Sequence, residues 1–286
     1  MNIMKALPRT TVCIDIRAAQ LAMIAVRRSA IRRWAVLPAP LDLATDAAPD
    51  AAQAVASVLR DCLATWGISH PVGRLSISDD AVIMRAIQLP PMRRRDVRPA
   101  LEYALDREIP FPAEKSVRSW SLTGRNDSHL DVLLAAAWRD VVDRYVEAAR
   151  LAGVKVELIE PRSLGVARAL HGADAVVVEA VAGRLHALRI SMLPGVAEQM
   201  PFNDSPAALR AAIDELLALI GRRSAARNQA APAHVFVAGD LEHTAGTIGF
   251  PGERASVHLN GSPPRRPAGF QAGHYLAAIG LAMADV

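Results

Sequence analysis

Residues 82–111 read VIMRAIQLPPMRRRDVRPALEYALDREIPF, a strand and a helix separated by a double proline. The run before Pro90 is short and bounded by turn signals, which is typical of a strand, and it ends there because proline cannot donate to a sheet ladder. The residues Val97, Leu101, Ala104, Leu105 and Glu108 then follow helical spacing, all but the last of them apolar. Asp96 is the predicted N-cap. The helix is expected to end before Pro110, because the residue preceding a proline is pushed out of the α region.

The same order of elements occurs twice in the chain: three short strands, one long helix and a further strand. It covers residues 11–89 and then residues 174–238. A self-similar order of this kind indicates two similar halves, and the segment between them reads as a small unit of strands and two helices. We therefore predict a first half, an inserted α+β subdomain and a second half, with boundaries at 1–89, 90–161 and 162–286.

Composition excludes several classes of protein. The chain has 286 residues, a net charge of +4 and only two cysteines, Cys13 and Cys62, which are predicted to be buried thiols in a reducing compartment. No helix-turn-helix, zinc or RNP pattern accompanies the positive charge, so we expect no nucleic-acid partner. No signal peptide and no apolar run long enough to span a membrane are visible, which predicts a soluble, cytoplasmic protein.

Other clusters of polar residues are interpreted as structural. The run SISDD at residues 76–80 suggests a hairpin turn more than a nucleophile, and the histidines are scattered. Arg93-Arg94-Arg95 is interpreted as a solvated basic turn, with contact to acidic lipid or a partner as the alternative.

Four segments resemble a known family. They are ISDDAVIMRAIQLPPM (77–92), ALEYALDREIPF (100–111), LLAAAWRDVVDRYVEAARLAGVKVELIEP (133–161) and YLAAIGLAM (275–283). Together they resemble the PilM family, the cytoplasmic actin-like proteins of type IV pilus assembly, which are related to FtsA. The resemblance implies an α/β, actin-like fold of two duplicated, ribonuclease H-like halves with an inserted FtsA/PilM-type α+β subdomain.

The resemblance also points to a nucleotide site, whose first motif is altered here. The first phosphate turn of the family reads like I-D-I-G-x-x-S, and this chain keeps Asp15 but has Arg17 in place of the glycine. Glycine lets the backbone approach phosphates closely. Arg17 is therefore expected to occupy or screen the site, and the alternative is that it folds over a phosphate.

Two further motifs of the family are altered. In the second turn, which resembles V-D-I-G-A-x-x-T, Glu179 replaces the aspartate, the glycine has either moved to Gly183 or been lost, and no hydroxyl residue remains. Of the two glycines in the adenosine-contact motif, this chain keeps Gly239. We place a degenerate nucleotide site at these three residues together with Asp15 and Arg17. The hypothesis is that ATP binding is weak or lost, so no cofactor is expected; if ATP binds, Asp15 holds Mg²⁺. A structural alternative is that Asp15 is satisfied by neighbouring N–H groups.

For function, the resemblance implies a scaffold of the pilus or a related secretion machine, held at the inner membrane through its partners, and not an active enzyme. The expected partner is the N-terminal cytoplasmic tail of a PilN-like membrane protein, in a groove bordered by the strand Arg85–Leu89 and the inserted subdomain. Other inner-membrane platform proteins and self-association are further partners. Three alternatives stay open: an active actin-like ATPase that regulates pilus assembly, a GspL-like component of type II secretion, and an actin-like relic with an unrelated partner.

Overall fold

The computed structural model describes most of the chain, and every structural statement below concerns these residues. They are 9–17, 19–46, 48–125, 127–170, 174–181, 184–190, 196–201, 206–226, 234–239, 241, 253–254 and 269–284. Gly183, one of the predicted site residues, lies outside them. None of the described helices is both long enough and apolar enough to cross a membrane.

Strands and helices contain nearly equal numbers of the described residues. The strands are β1 (Thr11–Ile16), β2 (Gln20–Arg27), β3 (Ala30–Pro38), β4 (Val72–Ile77), β5 (Val82–Leu89), β6 (Ser116–Arg125), β7 (Leu130–Trp138), β8 (Lys155–Pro161), β9 (Ala175–Val181), β10 (Arg184–Ile190), β11 (Val196–Pro201), β12 (His234–Gly239) and β13 (Glu253–Arg254). The helices are α1 (Ala51–Thr65), α2 (Arg94–Glu108), α3 (Arg139–Leu151), α4 (Arg162–Ala169), α5 (Pro206–Ala226) and α6 (Leu276–Ala282).

Two five-stranded sheets share one topology. Their strand orders are β3-β2-β1-β4-β8 and β11-β10-β9-β12-β13. In each sheet the first strand pairs antiparallel with the second and parallel with the strand that follows the long helix. The repeated order of elements predicted from the sequence is therefore confirmed.

The third sheet has the order β5-β7-β6, and α2 covers one of its faces. Leu101 and Leu105 of the helix pack there against Val132 and Leu134 of the central strand. The helix begins at Arg94, about one turn earlier than predicted, and no side chain caps it. Arginine is a good helix former, which favours this earlier start. The prediction of Asp96 as N-cap was wrong, since that residue lies in the first turn.

Two predicted strand placements were also wrong. The chain from 74 to 89 does not form a hairpin: β4 pairs with β1 and β8, whereas β5 pairs with β7, because the 3-10 turn Asp79–Ala81 leads the chain out of the first sheet. Strand β8 belongs to the first sheet and not to the inserted unit, because α3 packs against α1 and delivers β8 to the edge of β4. On this pairing we propose 82–138 for the inserted unit.

Helices separate the two large sheets. The outer face of the first sheet is covered by α1 and α3, and the outer face of the second by α5. Between the sheets lie α4 and α6, in one apolar cluster with Cys13 and Ile24 of the first sheet and Val177 of the second. The two helices cross at Gly165 and Gly280, where a Cβ on Gly280 would overlap the carbonyl of Gly165. This close crossing brings the facing ends of β1 and β9 together.

Candidate functional site

Two carboxylates occupy equivalent positions in the two halves. Asp15 is the fifth residue of β1 and Glu179 is the fifth residue of β9, so each lies near the carboxyl end of the first strand of its sheet. Both residues are buried, with exposed fractions of 0% and 2% respectively. Since burial of an unpaired charge is costly, each carboxylate requires a cation nearby.

Arg17, just after β1, supplies the first cation. Its Nε donates to Asp15 Oδ2 at 2.7 Å, and its Nη1 donates to Glu179 Oε2 at 3.3 Å. A third bond runs from Nη2 to the backbone oxygen of His274 at 3.0 Å. The guanidinium is itself buried, and it therefore joins the first sheet, the second sheet and the segment that leads into α6.

Arg162, the first residue of α4, supplies the second cation. It follows β8, which runs parallel to β4 and β1, and so it emerges at the same end of the sheet as Asp15. Its Nε donates to Asp15 Oδ2 at 3.2 Å, and its Nη2 lies 2.7 Å from Glu179 Oε1. Two guanidiniums thus bridge the same two carboxylates, and the four charges balance.

A hydroxyl completes the partners of the first carboxylate. Ser76 stands beside Asp15 in the parallel register of β1 and β4, and its Oγ donates to Asp15 Oδ1 at 2.5 Å. Burial alone raises the pKa of Asp15, but Arg17, Arg162 and this hydroxyl outweigh burial and lower it to about 2. Glu179 behaves alike: burial opposes ionisation, while Arg162 and Arg17 hold its pKa below the usual value.

A third carboxylate, Asp79, fixes the start of α4. It lies in the 3-10 turn between β4 and β5 and accepts hydrogen bonds from the backbone N–H of Ser163 at 3.1 Å and from its hydroxyl at 2.6 Å. Burial raises the pKa of Asp79 to about 6, although the bonds from Ser163 and the charge of Arg162 act in the other direction. The turn that was interpreted as a hairpin therefore anchors the helix that carries Arg162.

The structure brings together three of the five residues placed in the degenerate site, namely Asp15, Arg17 and Glu179. Gly239 ends β12 and stands in register with Ala180, next to Glu179, while Gly183 lies outside the described residues. The sequence interpretation missed Arg162, Ser76 and Asp79. The alternation of side chains between the two faces of β4 could have placed Ser76 beside Asp15. No local pattern identifies Arg162.

A second candidate site lies where the inserted unit meets α3. A cavity of about 580 Å³ is lined by Glu114, Lys115, Trp138, Arg139, Asp140 and Asp143. The Trp138 ring is 38% exposed and packs on Phe111, with ring centroids 4.2 Å apart. The strand Arg85–Leu89, predicted to border a groove from the first half, is instead part of β5, an edge strand of the inserted sheet. The cavity offers an apolar ring beside three acidic and two basic side chains.

Comparisons with known proteins identify relatives of this fold. A family model described as type IV pilus assembly protein PilM matches residues 13–189. A solved PilM–PilN type IV pilus biogenesis complex has a TM-score of 0.72 and 19% identity, covering 96% of this chain and 97% of that chain. A comparison with curated proteins found no match.

Two further solved structures are more distant. One is the cytoplasmic domain of EpsL, an inner membrane component of the type II secretion system of Vibrio cholerae, with a TM-score of 0.54 and 10% identity over 96% of this chain and 94% of that chain. The other is the ethanolamine utilization protein EutJ from Carboxydothermus hydrogenoformans, with a TM-score of 0.53 and 11% identity over 96% and 90%.

The structural relatives confirm the predicted actin-like α/β fold. The family model covers more than half of the sequence, from β1 through most of β10. The chain therefore belongs to the family of type IV pilus assembly protein PilM.

Proposed function

We propose that this chain is a scaffold of type IV pilus or related secretion machinery, which binds the N-terminal cytoplasmic tail of a PilN-like inner-membrane protein. We further propose that it binds ATP weakly or not at all. The observation that carries the second statement is the pair of guanidiniums, Arg17 and Arg162, that bridges Asp15 and Glu179.

The residues present do not suit Mg²⁺-ATP. Oδ2 of Asp15 accepts from Arg17 and Arg162, and Oδ1 accepts from Ser76, so both oxygens are already used. A nucleotide with its metal would have to displace both cations from two buried carboxylates, which is strongly unfavourable. Within the described part of the chain, no three His, Cys, Asp or Glu side chains come together as a metal-binding group.

The cavity beside α3 suits a basic tail. Trp138 supplies a partly exposed aromatic anchor, and such residues dominate the binding energy of many interfaces. Acidic residues outnumber basic ones in this lining by three to two, and one of the basic side chains, Arg139, already donates to the backbone oxygens of Glu114 and Ser116. The cytoplasmic segments of membrane proteins carry an excess of Lys and Arg near the membrane, which matches this balance. The solved relative that is a complex with PilN supports a partner of this kind, and a place in the cytoplasm at the inner membrane follows from such a partner.

Titration calorimetry tests both statements. We expect a synthetic tail peptide of the PilN-like protein to bind, and Mg²⁺-ATP to give no binding heat. Trp138→Ala should weaken tail binding at least tenfold. The matched control is Trp120→Ala, which removes an exposed tryptophan from β6 of the same unit and should leave the affinity unchanged.

Three outcomes separate the alternatives. Micromolar ATP binding that changes the affinity for the tail would contradict the scaffold proposal and favour an active nucleotide switch. Equal losses from Trp138→Ala and Trp120→Ala would place the tail elsewhere. If the tail does not bind at all, the partner proposal is wrong. The likeness to EpsL, at 10% identity, concerns the fold alone.

A further inference from the structure

The first sheet carries a group of arginines at the end opposite the buried charges. Strand β2 runs away from Asp15 to a tight turn, where Arg28 and Ser29 both have positive φ values, 53° and 54°. Around this turn are the exposed side chains that we define as the arginine surface: Arg9, Arg27, Arg28, Arg32 and Arg33. Residues 16–41 contain no aspartate or glutamate, so the hairpin itself offers no compensating charge.

Two cavities open onto the arginine surface, and they share Arg28. The larger, of about 550 Å³, is lined by four of the arginines together with Thr10, Ala25, Trp66, Gly67 and Ile68. The smaller, of about 160 Å³, is lined by Arg9, Arg28, Arg74, Thr11, Val26, Ser29 and Ala282. No carboxylate lines either cavity among the described residues. The lining therefore favours an anionic occupant.

Four of the five arginines of this surface keep their charge unpaired among the described residues. None of Arg9, Arg28, Arg32 and Arg33 forms an ion pair with another described residue. The carbonyl oxygens at the end of α1, which could compete for a cation, instead accept from the N–H groups of Trp66, Gly67 and Ile68. Arg74 differs, since it donates to carbonyls at the end of α6 and lies 3.4 Å from Glu157.

We propose that the arginine surface binds the headgroups of anionic phospholipids. Guanidiniums bind phosphate in a bidentate manner, and an arginine near an anionic bilayer contributes about 1 kcal/mol. Half-buried Trp66 beside them is a residue type enriched at membrane interfaces.

The exposed large apolar side chains of the described residues lie elsewhere, on α2, on β6, at the end of β7 and on the other half of β3. A folded protein partner would need such anchors, whereas a fluid layer of phosphates does not. The choice of a bilayer over another anion also rests on the proposed function, which places the chain at the inner membrane.

Vesicle flotation of the purified chain tests the proposal. We expect binding to vesicles of phosphatidylcholine and phosphatidylglycerol in equal parts, weakening as salt rises, and no binding to phosphatidylcholine alone. The combined variant Arg28→Asn, Arg32→Gln and Arg33→Gln should bind about a hundredfold more weakly, since each lost arginine costs about a factor of five. Asparagine is chosen at position 28 because it tolerates positive φ. If the triple variant does not fold, Arg32→Gln and Arg33→Gln are measured singly.

The matched control removes three exposed arginines of the inserted unit, namely Arg98 and Arg107 of α2 and Arg125 of β6, each replaced by glutamine. It carries the same net charge as the triple variant and should stay within about threefold of the parent chain. Equal loss in the control would overturn the proposal in favour of net charge. Equal binding to phosphatidylcholine, displacement by inorganic phosphate at the concentration of lipid phosphate, or tighter binding of a polyglutamate peptide would also overturn it.

This experiment is independent of the tail. The vesicles contain no PilN-like protein, so vesicle binding is scored whether or not the tail peptide binds in calorimetry. We expect the triple variant to keep the tail affinity of the parent chain, because the arginine surface shares no residue with the cavity around Trp138. Loss of tail binding in that variant would show that the two surfaces are one site and would contradict the inference.

Discussion

At Asp79 a single carboxylate couples the start of α4 to pH. The residue is held in a turn and accepts two hydrogen bonds from Ser163, yet burial raises its pKa to about 6 from an ordinary value of 3.8. A raised pKa in the folded state means that the folded chain holds this proton more tightly than the unfolded chain does. The contribution of Asp79 to stability is therefore complete below about pH 4 and decreases as the pH rises through about 6.

Asp79→Asn removes this titration. In the parent chain we expect the free energy of unfolding to fall between about pH 4 and pH 6 with a slope that includes about 1.4 kcal/mol per pH unit from Asp79. In the variant that part of the slope is absent, because an amide does not ionise. Urea denaturation at a series of pH values measures it. An unchanged slope in Asp79→Asn would refute the assignment.

At the scale of elements, the crossing of α4 and α6 leaves no space for an added side-chain atom at Gly280. Gly165 and Gly280 let the two backbones touch, and the contact belongs to the apolar cluster that joins both large sheets. Neither glycine has a positive φ, so the requirement is for space rather than for an unusual backbone conformation. A methyl group at Gly280 has backbone and not a flexible side chain as its neighbour, and the helices must separate to admit it.

Two glycine-to-alanine changes in helices should therefore have opposite signs. Gly280→Ala is expected to lower the free energy of unfolding by about 3 kcal/mol, because it overpacks the helix crossing. Gly221→Ala in α5 has nothing within 4 Å of the new methyl group and should raise the free energy of unfolding by about 1 kcal/mol through helix propensity. Urea denaturation of both variants measures the pair, and a stabilised Gly280→Ala would show that the crossing is looser than described.

The element order was predictable from sequence because hydrophobic periodicity and turn residues are local signals. Pro90 was predicted to end a strand and Pro110 to follow the end of a helix, and the structure has β5 and α2 in these positions. Which strands pair is decided by contacts between residues far apart in sequence, so a local pattern does not predict it. The short turn at Asp79–Ala81 reads like a hairpin, and only the packing of α3 on α1 decides that β8 joins the first sheet. The boundaries of the inserted unit depend on that pairing, which is why the unit that we propose, 82–138, differs from the predicted 90–161.

At the scale of the whole molecule, a double-mutant cycle measures how strongly Arg17 and Glu179 join the two halves. Arg17→Gln alone leaves two buried carboxylates with one cation, and we expect the free energy of unfolding to fall by about 3 kcal/mol. Glu179→Gln added to it should cost less than it costs in the parent chain, with a coupling energy of about 2 kcal/mol. The exposed pair Arg98 and Glu102, treated in the same way, should couple by less than about 0.5 kcal/mol. Additive losses in the first cycle would mean that Arg17 does not join the halves.

Only the site residues that lie within the two repeated segments were predictable from sequence. Asp15 and Glu179 stand at matching places in two matching strands, and Arg17 is two residues from the first of them. Arg162 enters from a helix that neither repeat contains and is 147 residues from Asp15 in sequence. Its place follows from three tertiary facts, the pairing of β8, the anchoring by Asp79 and the glycine crossing, none of which a local pattern encodes.

The cations that bridge Asp15 and Glu179 are side chains, so every copy of the protein receives them at translation. Their stoichiometry is fixed, and no metabolite concentration sets their occupancy. A cleft held by a diffusible ligand opens and closes with the cell's supply of that ligand. Under the proposed function this cleft needs no such supply, and we expect control to act on the abundance of the protein and of its partners, through transcription, translation and turnover.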